Sequence, residues 1–185
     1  MTSGFVRAAR ASDADGLARV QVASWRAAFS GLVPDAVIEE LTSEAAVAQF
    51  AQRWLTAIGA PPTSRHRVHV AVEQPGDPDV IGFASSGPAT DDDLWPGTDG
   101  ELYELHVLPS LAAGGHDGRL LHAVADTFAE DGFSTAYTWA LAGDERRIGF
   151  LEQAGWAPDG SRAGLDMGTK VPALRLHTRL SPTAA

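Results

Sequence analysis

Leu105-His106-Val107-Leu108-Pro109-Ser110-Leu111-Ala112-Ala113-Gly114-Gly115-His116-Asp117-Gly118-Arg119-Leu120-Leu121 reads as an apolar strand, a glycine-rich loop and the start of a helix. Glycine lets a backbone turn sharply and approach a ligand, and the free N–H groups of a helix's first turn attract anions along the helix dipole. The stretch therefore predicts a phosphate cradle at Ala112, Ala113, Gly114, Gly115, His116, Asp117, Gly118 and Arg119, fed by a strand carrying His106 and Val107. Asp117 opposes that use. A carboxylate about 6 Å from one phosphate charge costs roughly 2 to 3 kcal/mol at an effective dielectric of about 20. Asp117 is thus expected to turn outward to water, while His116 and Arg119 return positive charge. The same residues also read as a plain, flexible strand-to-helix turn.

Working outward, residues 101–107 alternate as a strand, and Leu120, Leu121, Val124, Ala125 and Phe128 form one helical face that ends at Gly132. A strand over 134–141 follows, then a helix over 144–153 closed by Gly155, and a last strand over 171–180. Towards the N-terminus, residues 5–10 predict a short strand. Ser12 with Asp15 suggests the cap of a helix that starts near Asp13 and repeats Leu17, Val20, Val22, Trp25, Ala28 and Phe29 at helical spacing. Pro34 opens a second helical stretch and residues 43–58 a third. Two β-branched runs, 68–72 and 80–84, flank a turn-rich segment and predict an antiparallel hairpin.

The chain has 185 residues, 44% hydrophobic and 21% charged, which suits one globular domain over residues 1–180 with a frayed tail at 181–185. Fourteen basic against 24 acidic residues give a net charge of -10, which opposes binding to nucleic acid or an anionic membrane. With no cysteine there is no disulfide, thiolate nucleophile or thiolate metal site. The histidines, His66, His69, His122 and His177 among them, show no metal-ligand spacing, so no metal is expected. The opening residues lack a basic-then-apolar pattern and no apolar stretch reaches spanning length, so a soluble, cytoplasmic protein is expected.

The element order, with the strand-loop-helix at its centre and Gly149-Phe150-Leu151-Glu152-Gln153-Ala154-Gly155-Trp156 behind it, resembles the Gcn5-related N-acetyltransferase (GNAT) superfamily. The resemblance spans roughly residues 5 to 180. Family members carry a Val-x-Pro segment and an (Arg/Gln)-x-x-Gly-x-(Gly/Ala) loop, which fall here on Val107, Pro109 and residues 112–117. Their later Asn-containing helix ending in Phe-Tyr-x-x-x-Gly-Phe falls on Asp144, Phe150, Leu151, Gly155 and Trp156. Residues 24–35 look like the first helix and turn of many bacterial members, which border the acceptor site.

The resemblance implies an α/β (α+β) fold with a mixed, mostly antiparallel central sheet flanked by helices. It implies acetyl transfer from acetyl-CoA to a primary amine of a small molecule or peptide, by direct attack in a ternary complex without metal. Homodimerisation is a further implication. Glu101 is the candidate base, since some members carry a base glutamate at this strand offset; it reads equally as a solvated strand-end acid. Alternation places Glu104 and His106 on the opposite strand face from Glu101. Asp144 would hydrogen-bond the pantetheine arm or serve only as an N-cap.

The position of the family's proton-donating tyrosine is Leu151, which has no proton to give; Tyr103, Tyr137 or solvent would have to replace it. Trp25 and Phe29 are the candidate substrate-binding residues, with Trp54 and Trp95 as further aromatics and the acidic residues 91–93 as an attractor for a cationic amine. Ala112, Asp117 and Leu151 together leave a second reading open, a GNAT-fold binding or regulatory domain that has lost efficient acetyl-CoA use.

Overall fold

The computed structural model describes residues 4–166 and 169–180, so the expected frayed tail lies outside the described residues. Seven strands run as β1 Phe5–Ala8, β2 Arg67–Val72, β3 Gly82–Pro88, β4 Asp99–Val107, β5 Thr135–Leu141, β6 Ala157–Asp166 and β7 Lys170–Arg179. They form one sheet in the order β1-β2-β3-β4-β5-β7-β6. Every neighbouring pair is antiparallel except β4 with β5, which gives the mixed, mostly antiparallel sheet that the resemblance implies. The helices are α1 Ala14–Ala28, α2 Asp35–Leu41, α3 Glu44–Gly59, α4 His116–Glu130 and α5 Glu145–Gln153. Among the described residues no helix is long and apolar enough to cross a membrane.

Helices cover both faces of the sheet. On one face Leu120, Leu121, Val124 and Phe128 of α4 and Leu151 of α5 meet Ala84, Leu102, Leu105, Ala136 and Leu176. On the other, Leu17, Ala18 and Val20 of α1 and Phe50 and Trp54 of α3 cover Val70 and Phe83. Each fully buried Leu or Phe contributes about 2 kcal/mol relative to exposure, so the helical spacing read in the sequence becomes the layer that fixes the sheet. Pro34 immediately precedes α2, and Ser43 caps α3 by accepting the Ala46 N–H at 3.2 Å.

Three local expectations are corrected. The start of α1 is not capped by Ser12: the Asp13 carboxylate accepts the Arg10 N–H at 2.7 Å and two bonds from the Arg7 guanidinium. A strand not expected from the sequence, β6, lies at the sheet edge, where Pro158 and Gly160 are tolerated at an irregularity of the ladder.

The third correction bears on the site. A β-bulge opposite Ser85 and Ser86 breaks the alternation of β4, with Glu104 paired to Ser85 and Leu102 to Ser86. Leu102 and Leu105 both enter the α4 core, whereas Glu104 and His106 reach α1 through Gln21 and Ser24. Glu101 pairs in parallel with Tyr137, whose neighbour along that face is Trp139, packed on the α2 side. Glu101, Glu104 and His106 therefore share one face of the sheet instead of opposite faces.

Candidate active site

The ladder between β4 and β5 comprises only residues 99–101 against 135–137, after which the strands part. Thr138 Oγ1 donates to the Leu102 carbonyl at 2.8 Å, and further along Arg147 Nη1 donates to the Leu105 carbonyl at 2.9 Å. A cleft of about 680 Å³ opens at this parting, between β4, β5, the C-terminal half of α1 and the start of α5. Its aromatic wall is Trp25, Phe29, Tyr103, Trp139 and Phe150, and its polar groups include Ser24, Glu104, His106, Asp117, Asp144, Arg146 and Arg147.

Glu104 and His106 sit next to each other. Gln21 Nε2 donates to the Glu104 carboxylate at 3.0 Å, and Gln21 Oε1 accepts the Trp54 Nε1–H at 3.0 Å, so a buried amide pins Glu104. His106 Nε2 lies 3.4 Å from Glu104 Oε2, and its Nδ1 is hydrogen-bonded to Ser24 Oγ at 2.9 Å. Phe83 and Trp25 pack on the imidazole with ring centroids at 5.2 and 6.5 Å. A carboxylate, an imidazole and a hydroxyl are thus chained along one wall of the cleft, a set able to accept and relay a proton.

Of the residues singled out in the sequence, Trp25, Phe29, His106, Val107, Asp117 and Asp144 line this cleft. Glu101 is not among its lining residues. Its buried carboxylate accepts the Thr90 N–H at 2.9 Å and the Thr90 hydroxyl at 2.7 Å; burial raises its pKa, and those two bonds partly offset the rise. Tyr103 Oη donates to the Pro88 carbonyl at 2.6 Å, and burial raises its pKa too. Leu151 is fully buried in the core, so its position offers the cleft nothing.

The glycine-rich segment folds differently from an open cradle. Residues Pro109–Gly114 form a 3₁₀ turn, Gly115 takes a left-handed φ of 68°, and Gly118 already lies inside α4. His116 is 2% exposed, and a Cβ on either Gly4 or Gly114 would come within 2.6 Å of its ring. Burial, followed by the Arg119 charge, lowers the His116 pKa, so the ring is neutral at pH 7 and returns no charge to the loop. Arg119 donates to the Gly114 carbonyl at 2.9 Å and lines a separate hollow with Gly115, Gly118 and His122. Ala112 and Ala113 do not line the cleft. Asp117 does not turn away: it borders the cleft while its Oδ1 accepts the Gly118 N–H at 2.9 Å.

Asp144 is an N-cap, accepting the Arg147 N–H at 3.0 Å, and lines the cleft as well. The acidic residues 91–93 are not an open attractor. Asp91 and Asp93, with Asp159, ion-pair with the buried Arg175 at 2.8, 2.6 and 2.6 Å. Trp54 is a core residue and Trp95 is 70% exposed, whereas Trp139, which sequence reasoning passed over, completes the aromatic wall. Strand alternation on β5 carries the signal for Trp139, since Ala136 and Ala140 face the core and residues 137, 139 and 141 the other side.

The same architecture occurs in solved N-acetyltransferases. An N-acetyltransferase from Staphylococcus aureus Mu50 superposes with a TM-score of 0.68 at 16% identity, covering 97% of this chain and 99% of that one. PaiA N-acetyltransferase from Thermoplasma acidophilum, solved in complex with coenzyme A, gives 0.67 at 15% identity, covering 96% and 99%. At such identities the likeness shows the fold. No family model matches the chain. It is, however, 30% identical over 136 residues to the uncharacterized N-acetyltransferase YuaI of Bacillus subtilis (strain 168), covering 74% of this chain and 70% of that relative. The chain belongs to the Gcn5-related N-acetyltransferase superfamily and is an acetyltransferase by class.

Proposed function

We propose that the protein transfers an acetyl group from acetyl-CoA to the primary amine of a small molecule with an apolar body, in a ternary complex within the β4–β5 cleft. The observation that carries this reading is the Glu104, His106 and Ser24 chain beside an aromatic wall, at the point where β4 loses β5 as a ladder partner. Trp25, Phe29 and Trp139 supply the surface for the apolar body and for cation–π attraction of an ammonium group. Glu104 supplies the negative charge on that wall.

An ammonium must lose a proton before its nitrogen can attack. Glu104, with His106 and Ser24 as its relay, accepts that proton, and the role sequence reasoning gives Glu101 falls to Glu104. The amine nitrogen then attacks the thioester carbonyl carbon; a C–N bond forms, the C–S bond breaks, the sulfur leaves as a thiolate, and the nitrogen, positively charged after attack, gives its second proton to water. Thiols have pKa values near 8.5, so water in the open cleft can protonate the thiolate, which Leu151, buried in the core, cannot do. Acetyl-CoA supplies the acetyl group; the chain supplies alignment, a proton acceptor and a partly dry wall.

Calorimetric titration with acetyl-CoA, followed by acetylation assays over polyamines, amino acids and arylalkylamines, tests the reading. We expect micromolar acetyl-CoA binding and fastest turnover with amines bearing an aromatic or branched apolar group. A protein that neither binds acetyl-CoA at millimolar concentration nor acetylates any of these amines overturns it.

A further inference from the structure

We propose that the phosphate groups of the acyl donor are held by Arg147, assisted by Arg146, at the start of α5 instead of by the turn at residues 115–118. The inference rests on the reading that an acyl-CoA enters the β4–β5 cleft. Four observations carry it.

One amide in the first turn of α4 already faces an anion. Asp117 Oδ1 accepts the Gly118 N–H at 2.9 Å, so a phosphate arriving there would displace a carboxylate of its own sign. Arg119, the basic residue of that turn, donates to the Gly114 carbonyl and lines a different hollow. On the cleft side, the lysines and arginines among the described lining residues are Arg146 and Arg147. They follow directly on the capped start of α5, where Asp144 fixes the Arg147 backbone N–H.

The fourth observation concerns the bond Arg147 makes. Its Nη1 donates at 2.9 Å to the Leu105 carbonyl, on the stretch of β4 that has lost β5 as a ladder partner. A guanidinium bonds a neutral carbonyl less strongly than a phosphate, which it can engage through two parallel N–H donors. Moving from one to the other also frees the Leu105 carbonyl to accept an N–H from the amide-bearing arm of the donor. Arg147 thus guards the edge of β4 in the empty cleft and changes partner when the donor enters. This accounts for a family member that has Ala112 in place of the loop's usual Arg or Gln and Asp117 in its anion turn.

The test compares coenzyme A with pantetheine, which has the same arm and no phosphate, by calorimetry on the full chain. Arg147→Gln is expected to weaken coenzyme A binding about tenfold to a hundredfold while pantetheine binding changes less than about twofold. Arg147→Lys, which keeps the charge and loses the two parallel donors, weakens coenzyme A binding about threefold to tenfold, less than Arg147→Gln does, and Arg146→Gln, on an exposed side chain, loses about threefold. Equal weakening of both ligands by Arg147→Gln assigns the residue to the shape of the cleft and overturns the proposal, as does unchanged coenzyme A affinity. Should Arg147→Gln fail to fold, Arg147→Lys is read in its place, and equal weakening of coenzyme A and pantetheine, or no change in either, overturns the proposal. Wild-type protein that binds no coenzyme A at millimolar ligand removes the acyl-CoA reading itself and this inference with it.

Discussion

Two arginines flank β5, one on β7 and one in the cleft towards β4, and they differ in what answers their charge. Arg175 on β7 is 4% exposed and meets three carboxylates, Asp91, Asp93 and Asp159, with Ser161 Oγ as a fourth acceptor and the Tyr137 and Trp139 rings beside it. Arg147 on α5 bonds one carbonyl, while Asp144 and Asp117 act on it only through space. Burial pulls the Arg147 pKa down to about 10, and those two charges only partly restore it; the hydrogen bonds that Arg175 donates to its carboxylates hold it far above the usual range. A saturated cation is a strut that pins the loop before β4 to the far half of the sheet. A cation on a neutral carbonyl has affinity to spare, and it faces the cleft.

The largest effect is expected where the strut is removed. Arg175→Met leaves Asp159 and Asp91 without their counter-charge and should cost about 3 kcal/mol, the low end for a broken buried pair. Asp93, 63% exposed, returns to water and carries none of that figure. The sign with pH is fixed by Asp159. Burial pushes its carboxyl upward, but the Ser161 amide and Arg175 outweigh burial and hold it below the ordinary carboxylate range. A depressed folded pKa contributes stability above the unfolded value of about 4, and that contribution is lost as pH falls below it. Urea unfolding from pH 7 to 2.5 should therefore show wild type losing stability below about pH 4 more steeply than Arg175→Met. Parallel curves would show that Arg175 is not the source of the acid sensitivity.

The acids divide in the same way. Asp91 and Asp93 are consumed by Arg175, whereas Glu104 is held by a neutral amide and an imidazole. Glu104→Gln keeps the shape and should lower kcat about a hundredfold, with the KM for acetyl-CoA little changed and the rise of kcat/KM with pH displaced. Glu101→Gln, in which the amide oxygen still accepts from Thr90, should change kcat by less than about threefold. The opposite pair of results would return the base to Glu101 and leave Glu104 as a determinant of amine binding.

What the sequence disclosed, and what it hid, follows from the range of the interactions. Helical spacing and β-branched runs are local, so α1, α3, α4 and β2 were legible within a residue or two, and the β2–β3 pairing was legible although β3 runs four residues past the expected end at residue 84. β6 was not, because an edge strand built on Pro158, Asp159 and Gly160 has the composition of a loop and gains its strand from pairing with β7. The bulge in β4 was hidden for a related reason: it exists only in the register with Ser85 and Ser86 on a neighbouring strand. Likewise, nothing near Asp91 or Asp93 announces Arg175, 84 and 82 positions away, and residues 91–93 therefore read as open charge. Trp54, Trp95 and Trp139 are chemically identical, and only the tertiary arrangement sorts them into core, surface and cleft.

A smaller effect sharpens the contrast from the side of the turn. Asp117→Asn keeps an oxygen for the Gly118 N–H and removes one negative charge from the edge of the cleft. Coenzyme A should bind about tenfold more tightly, because the phosphates on α5 lose a repulsive neighbour and Arg147 loses a competing one. The gain should shrink when Arg147→Gln is added, since the two side chains act on each other, and a double-mutant cycle measures that coupling. An additive pair of effects would separate Asp117 from Arg147.

The smallest effect decides whether the glycine-rich turn serves folding or ligand. Gly115 has φ 68°, and a Cβ built there meets nothing within 4 Å, so Gly115→Ala introduces backbone strain without a clash. The left-handed conformation should cost about 1 kcal/mol, read as a modest drop in Tm. If the phosphates lie on α5, that strain is the whole consequence, because no ligand backbone contact at residue 115 is lost and coenzyme A affinity in the folded variant is unchanged. If instead the amides of this turn hold the pyrophosphate, the variant loses affinity as well as stability. A substitution that lowers Tm and leaves the titration with coenzyme A untouched would mark the glycine as the hinge that tucks His116 beneath Gly4 and Gly114, and would leave Arg147 as the cation that meets the donor.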